Sequence, residues 1–223
     1  STAYLSKNST IYNATSQVGA MSVSLRLDSG GGNYPIIHAS GYFDYDLSIS
    51  YYFGRIQFWV YALEWTQLVV LSNTVTLPTG WFNLLVSWDM TADVSHRVQF
   101  YINDADAFGF EQQPLFGSFT LPAMPTWHVG KTSWGADKLN GGMSELWMAL
   151  GTKIDFSDEA SRRKFISASG KPVYLGDNGE LPTGSAPALY LNNPYTGFGT
   201  NKGAGGNFTV NGTLSASPTS PSD

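Results

Sequence analysis

The sequence contains no cysteine. Disulfide staples and thiolate metal sites are therefore excluded, and burial must hold the fold together. Charge is scarce too. Asp, Glu, Lys and Arg supply 13% of the 223 residues, about half the usual share. Lys and Arg number 12 against 17 acidic residues, a net charge of −5. A chain short of clustered cations is poorly equipped for phosphate backbones, so no nucleic-acid partner is expected. No apolar run approaches the ~18 residues that cross a bilayer, so no membrane insertion is expected. No basic-then-apolar segment opens the sequence, so no secretory leader is expected and synthesis in a cytoplasm fits. Histidine is rare: His38, His96 and His128 are the three. They show neither HExxH spacing nor a nucleophile motif, so no zinc centre and no Ser–His hydrolase is expected. The run Gly130-Lys131-Thr132 is not the end of a phosphate loop, because Pro125 stands where that motif needs glycine.

What the sequence has is aromatic and apolar residues, at 14% and 42%, with 24 glycines to turn the chain. Met21, Val23, Leu25 and Leu27 alternate with Ser22, Ser24, Arg26 and Asp28. That is period two, one wet face and one buried face. Leu47 and Ile49 alternate, as do Ile56, Phe58 and Val60 against Gln57, Trp59 and Tyr61. Phe82, Leu84, Val86 and Trp88 share a face, and so do Val98, Phe100 and Ile102. Asn103-Asp104 reads as a tight turn, since both residues tolerate positive φ. About a dozen short strands at close spacing mark a sandwich or barrel. The fold expected is all-β, a two-sheet antiparallel sandwich of the jelly-roll type with one short C-terminal helix. Its core would include Leu25, Leu27, Phe58, Leu84, Val86, Phe100 and Ile102. The helix is expected over 157–168, with Ser157 as N-cap, acids in its first turn and Gly170 as its stop. One domain is expected over 1–214, with a helix- and loop-rich insertion at about 152–187 and a flexible Ser/Pro tail at 215–223. The segment 4–12 is expected to pair near 208–214, since sandwich termini often meet.

Several motifs carry a resemblance. Trp81-Phe82-Asn83-Leu84-Leu85-Val86-Ser87-Trp88-Asp89 is followed by Val98-Gln99-Phe100-Tyr101-Ile102-Asn103-Asp104. His128-Val129-Gly130 and Gly141-Gly142-Met143-Ser144-Glu145-Leu146-Trp147 come later. Over roughly 20–150 the chain resembles the concanavalin A-like lectin/glucanase superfamily, laminin-G-like members above all. Asp104 departs from the glycine usual at that turn. In the last third, Asp155-Phe156-Ser157, Arg162-Arg163-Lys164-Phe165-Ile166, Gly170-Lys171-Pro172-Val173 and Phe198-Gly199-Thr200-Asn201-Lys202-Gly203 resemble the ends of such domains encoded by tailed bacteriophages. That resemblance implies a virion or virion-associated protein, a head decoration protein or a tail adhesin, made in the host cytoplasm. Its partners would be other virion proteins or further copies of itself, with a cell-surface glycan as the other candidate.

The superfamily holds both lectins and glycosidases, so the site must decide. Its retaining glucanases carry a Glu-x-Asp-x-x-Glu type of pattern on one strand, placing carboxylates roughly 5 Å apart. That pattern is absent, and Glu145 stands alone in 143–150. Asp44 and Asp46 share a strand face, with solvated edge acids as the plainer reading. No enzyme is expected. Aromatic rings can stack on the apolar C–H faces of sugars or anchor a subunit contact. The candidates are Trp59, Tyr61 and Tyr101, which alternate with core positions, and Trp134 and Tyr195, which fall in predicted loops. Burial is the competing reading for each. Laminin-G-like domains often hold Ca²⁺ at the sandwich rim through Asp, Asn and backbone oxygens. Asp89, Asp93, Asp104 and Asp137 are the rim acids of that chemistry here. No spacing singles out a set, so no cofactor and one Ca²⁺ both stand as expectations. A free carbohydrate-binding module and a glycoside hydrolase are the alternative functions.

Overall fold

A computed structural model of the chain describes residues 3–28, 32–41, 45–62, 66–74, 80–93, 97–113 and 120–222. Asp44 and His96 lie outside them. The strands in chain order are β1 Tyr4–Lys7, β2 Val18–Leu27, β3 Asn33–Ser40, β4 Asp46–Tyr52, β5 Arg55–Ala62, β6 Thr66–Ser72 and β7 Phe82–Asp89. Then come β8 Val98–Ile102, β9 Ala105–Asp106, β10 Phe108–Gln113, β11 Thr126–Val129, β12 Gly141–Leu150, β13 Leu189–Leu191 and β14 Thr209–Asn211. They form two sheets. The larger runs β10-β6-β5-β4-β3-β11-β1-β14 and the smaller β13-β12-β2-β7-β8-β9. The described pairings are antiparallel, as an all-β sandwich built from hairpins and Greek-key returns requires.

Period-two alternation builds the core. Phe58, Ile49, Ile37, Val129 and Leu5 stand in one cross-strand row of the larger sheet. Met21, Val23, Leu25, Leu84, Val86 and Phe100 face them from the smaller sheet, and all of these are buried in one cluster. Ile102 belongs to it too, whereas Leu27, at the end of β2, is half-buried. Gly19 is required by packing: a Cβ there would sit 2.2 Å from the Trp88 ring. The chain ends meet as expected, with Leu5 opposite Val210 in the β1–β14 pair. The turn after β8 uses positive φ at Asn103 (47°) and Asp104 (71°).

The insertion supplies a third layer. Ile154, Phe156, Phe165, Ile166 and Leu175 bury themselves against Ala20, Leu85, Tyr101, Trp147 and Tyr190 on the outer face of the smaller sheet. Trp147 Nε1 donates to the Gly179 carbonyl at 2.8 Å, closing that layer. The helix expected over 157–168 is shorter: α1 spans Glu159–Arg162. Its N-cap is Asp158, not Ser157, and the Asp158 carboxylate accepts from the N–H groups of Ala160 and Ser161. The helix ends early because Phe165 and Ile166, adjacent in sequence, are both drawn into the second cluster, and Ile166 then bridges Pro172. The tail also has contacts. Arg26 Nη1 donates to Ser217 Oγ (2.9 Å), Trp81 Nε1 to Thr219 Oγ1 (3.0 Å) and Lys171 Nζ to the Ser222 carbonyl (2.8 Å).

Candidate functional site

With the smaller sheet covered, the outer face of the larger sheet remains. Strand alternation places the polar phase there. Trp59, Ser48, His38, His128 and Ser6 stand directly opposite one another across β5, β4, β3, β11 and β1. The next row pairs Tyr61 with Asp46 and Asp46 with Ser40. At ~4.8 Å per strand, the first row is about 19 Å long.

A hairpin over 130–139 folds onto this face. Gly130, at φ 77°, starts it, and Leu139 N–H donates to the Gly130 carbonyl at 2.9 Å. Lys131 bridges Lys138 across its base. Thr132 Oγ1 accepts from Gly135 N–H and tightens its tip. Ser133 Oγ lies 2.9 Å from His38 Nε2, and Asp137 accepts from Asn33 Nδ2 at 3.1 Å. These contacts set Trp134 down edge-on against His38 (4.3 Å between ring centres) and against Trp59 (5.4 Å). Trp59 in turn stacks on Tyr61 at 5.8 Å. Trp134 is 59% exposed, and Trp59 and Tyr61 are half-buried. Three rings from two separate parts of the sequence thus form one aromatic surface, with polar groups of Asp46 and Ser133 beside it.

His38 is the buried floor beneath Trp134. Burial lowers its pKa to about 3, and the neighbouring His128 adds to the effect. It is therefore neutral at neutral pH, and its approach to Asp46 (Nε2 to Oδ1, 3.5 Å) is not an ion pair there. Ser133, His38 and Asp46 have the composition of a nucleophilic triad but not its geometry. A triad acid must hold the opposite ring nitrogen from the serine, and here both contacts are made to Nε2. No donor among the described residues reaches His38 Nδ1.

The other predicted residues do not join this surface. Tyr101 is buried on the outer face of the smaller sheet, with the Arg162 guanidinium 4.7 Å over its ring. The insertion covers it, so it cannot anchor a partner. Tyr195 starts a 3₁₀ turn, Tyr195–Gly197. It lines a separate cleft of about 350 Å³ with Trp81, Phe198 and Leu214, partly closed by the tail.

The rim acids do not converge either. Asp89 ends β7 and Asp104 follows β8, at opposite ends of one hairpin about 17 Å apart by strand rise. Asp89 is bound by Lys153 Nζ at 2.9 Å and by Thr91. Burial raises its pKa, but these partners outweigh it and bring it down to about 2. Asp104 accepts from Arg163 and Arg162, which hold its pKa at about 2. Asp93 is exposed, and Asp137 is engaged by Asn33. Among the described residues no group of three or more His, Asp or Glu has a metal-binding arrangement, so these four acids do not fit one calcium site.

Glu145 stands apart from all of these. It occupies a bulge in β12 with a positive φ of 52°. Burial raises its pKa, and the Tyr190 hydroxyl donates to it at 3.3 Å. It belongs to the smaller sheet, on the far layer from Trp134.

Sequence reasoning missed His38, Ser133 and Asp46 as parts of one surface. The signal was faint but present: His38 and Ser48 occupy the polar phase of their strands, as Trp59 does. Their alignment depends on strand register, which the sequence does not print.

No family model matches the sequence, and no curated protein does. Solved structures share the fold. One is a putative carbohydrate binding protein from Bacteroides ovatus ATCC 8483, at 15% identity and a TM-score of 0.59, covering 97% of this chain and 59% of that one. Domains LG4-5 of the mouse laminin alpha1 chain match at 12% identity and a TM-score of 0.51, covering 69% of this chain and 42% of theirs. The chain thus spans less than two thirds of either structure's length. The architecture shared with them is a two-sheet antiparallel jelly-roll sandwich. At these identities the likeness concerns fold.

Proposed function

We propose that the chain is a non-catalytic carbohydrate-binding domain whose ligand lies on the outer face of the larger sheet, and that it acts on the surface of a tailed-bacteriophage particle. The observation that carries the binding reading is the cluster of Trp134, Trp59 and Tyr61 on the open face of the sandwich. Rings of this kind give a sugar's apolar face a flat partner, while nearby hydroxyl and carboxylate groups take its hydroxyls. The Bacteroides ovatus structure, whose name describes carbohydrate binding, aligns with nearly the whole of this chain. The non-catalytic reading is supported by the settings of two acids. Asp46 is directed to a neutral His38, and Glu145 sits on the other sheet against Tyr190. The virion setting is supported by the resemblance of 155–203 to phage-encoded domain ends, the stretch that supplies much of the third layer.

Two measurements test this. Glycan-array or affinity-electrophoresis binding should fall at least tenfold in Trp134→Ala, while stability changes by less than about 1 kcal/mol because that ring is mostly exposed. Full binding by the variant would remove the surface from consideration. Mass spectrometry of purified particles should find the chain at many copies for a head decoration protein or few for a tail adhesin. Its absence from particles would leave a free lectin.

A further inference from the structure

The aromatic surface continues past His38 towards the other edge of the sheet. His128 lies directly opposite His38, with ring centres 6.3 Å apart, and Tyr4 lies 6.0 Å beyond it. Two cations stand over the Tyr4 ring: Lys131 Nζ at 4.8 Å and Lys138 Nζ at 5.3 Å. They belong to the same hairpin that carries Trp134 at its tip, and they face each other across its base. Like charges directly opposite on paired strands repel. The negative face of the tyrosine ring offsets part of that cost, and an anion placed there would offset more. In a chain of net charge −5 this is a local reversal of sign. Burial keeps His38 and His128 neutral, His128 also through Lys131 itself, and the Asp137 carboxylate accepts from Asn33 Nδ2. Tyr4 stands on β1, two strands past the β3 residue His38 against which Trp134 rests, about 10 Å across the sheet. A group bound at the lysines therefore belongs to a different sugar ring from the one stacked on Trp134.

We propose that the ligand is an acidic glycan, with one ring stacked on Trp134 and Trp59 and a carboxylate or sulfate of another sugar held by Lys131 and Lys138 over Tyr4. This inference rests on the reading of the outer face as a glycan surface, and it adds the charge of the ligand and the end at which that charge binds. No bond is made or broken; recognition is by stacking and ion pairing.

The test is binding of the full chain to an array of matched glycans of equal length, each neutral member paired with uronate, sulfated and sialylated counterparts. The expected result is at least tenfold tighter binding to an acidic class. That preference should shrink as salt rises, since exposed charges are screened. In Lys131→Gln/Lys138→Gln, affinity for the acidic class should fall to the neutral level, with neutral binding kept. Trp134→Ala should lose both. Equal binding of acidic and neutral members, or an acidic preference unmoved by the double lysine variant, overturns the inference and leaves the glycan reading standing. Binding to neither class by the folded wild-type chain overturns the glycan reading itself.

Discussion

His38 makes the fold of the candidate site sensitive to acid, and the size of the effect follows from its burial. An unfolded histidine titrates near 6.5. In the folded chain burial, helped by His128, lowers His38 to about 3. A base whose folded pKa is depressed binds its proton more readily when unfolded. Stability is therefore full above pH 6.5, falls as pH drops through the window between 6.5 and 3, and levels off below it. At pH 4.5 the unfolded state is two units below its pKa while the folded state remains neutral. Each unit is worth about 1.4 kcal/mol, so the loss is about 3 kcal/mol. His128, half-buried and shifted the same way, adds to the slope. Asp89 and Asp104, held at about 2, lose their contributions only as pH falls below the ordinary carboxylate range, while Glu145, raised by burial, takes up its proton within the window and works against the histidine slope. Urea melts at pH 7, 6, 5 and 4.5 measure the slope. His38→Gln, which keeps a polar group for Ser133, should flatten most of it. Equal stability of the wild type at pH 7 and 4.5 would show that His38 is protonated in place. An unchanged slope in the variant would assign the proton to another group.

Three further outcomes follow from the packing. Phe100→Ala, at the centre of the core, should cost about 3–5 kcal/mol in denaturant melts; a loss under about 1 kcal/mol would mean its side chain is not core. Asp104→Asn keeps a residue that accepts the turn's positive φ but removes the charge shared by Arg162 and Arg163. It should cost only about 1 kcal/mol, because the cluster is partly exposed, and it should speed hydrogen exchange over 155–166 ahead of the sheets. Slower or unchanged exchange there would mean that the apolar layer alone holds the insertion. Chelation by EDTA should leave the melting temperature unchanged, because Asp89 and Asp104 already have cationic partners and sit at opposite ends of a hairpin. A rise in melting temperature with millimolar Ca²⁺ would show that some of these acids share an ion.

The two sheets were legible because alternation is a local property. Met21, Val23 and Leu25, or Phe82, Leu84 and Val86, announce a buried face without any knowledge of their partners. Leu27 belongs to the same alternation yet is half-buried, because a strand's last residue sits where the sheet ends. Tyr101 shows the limit of the method. It alternates with Phe100 and Ile102 and so points away from the core, but a second apolar cluster waits on that side, contributed from more than fifty residues further along. The same cluster shortened the helix, since Phe165 and Ile166 serve the layer better than they serve a helical face. Trp59, Tyr61 and Trp134 were recognisable as unusual aromatics one at a time. Their assembly was not, because it depends on the register that sets Trp59 opposite Ser48 and Ser48 opposite His38, and on a hairpin that folds back across three strands. Small polar residues such as Ser133 gave no warning at all.

The layer packed behind the smaller sheet also decides how many ligands one chain can hold on its sheets. A sandwich has two outer faces, and in this chain the insertion has taken one of them. Among the described residues one open sheet face remains, and contacts of a few rings with a sugar are individually weak. On the proposed glycan reading, firm attachment to a glycan-coated surface would come from valency. Copies set side by side with their open faces parallel would turn each later contact into an intramolecular event and could raise the effective affinity on the order of 10²–10⁴-fold without any new contact. The covered face is the one free to be turned inward in such an array. The spacing between copies would then govern which surfaces are bound.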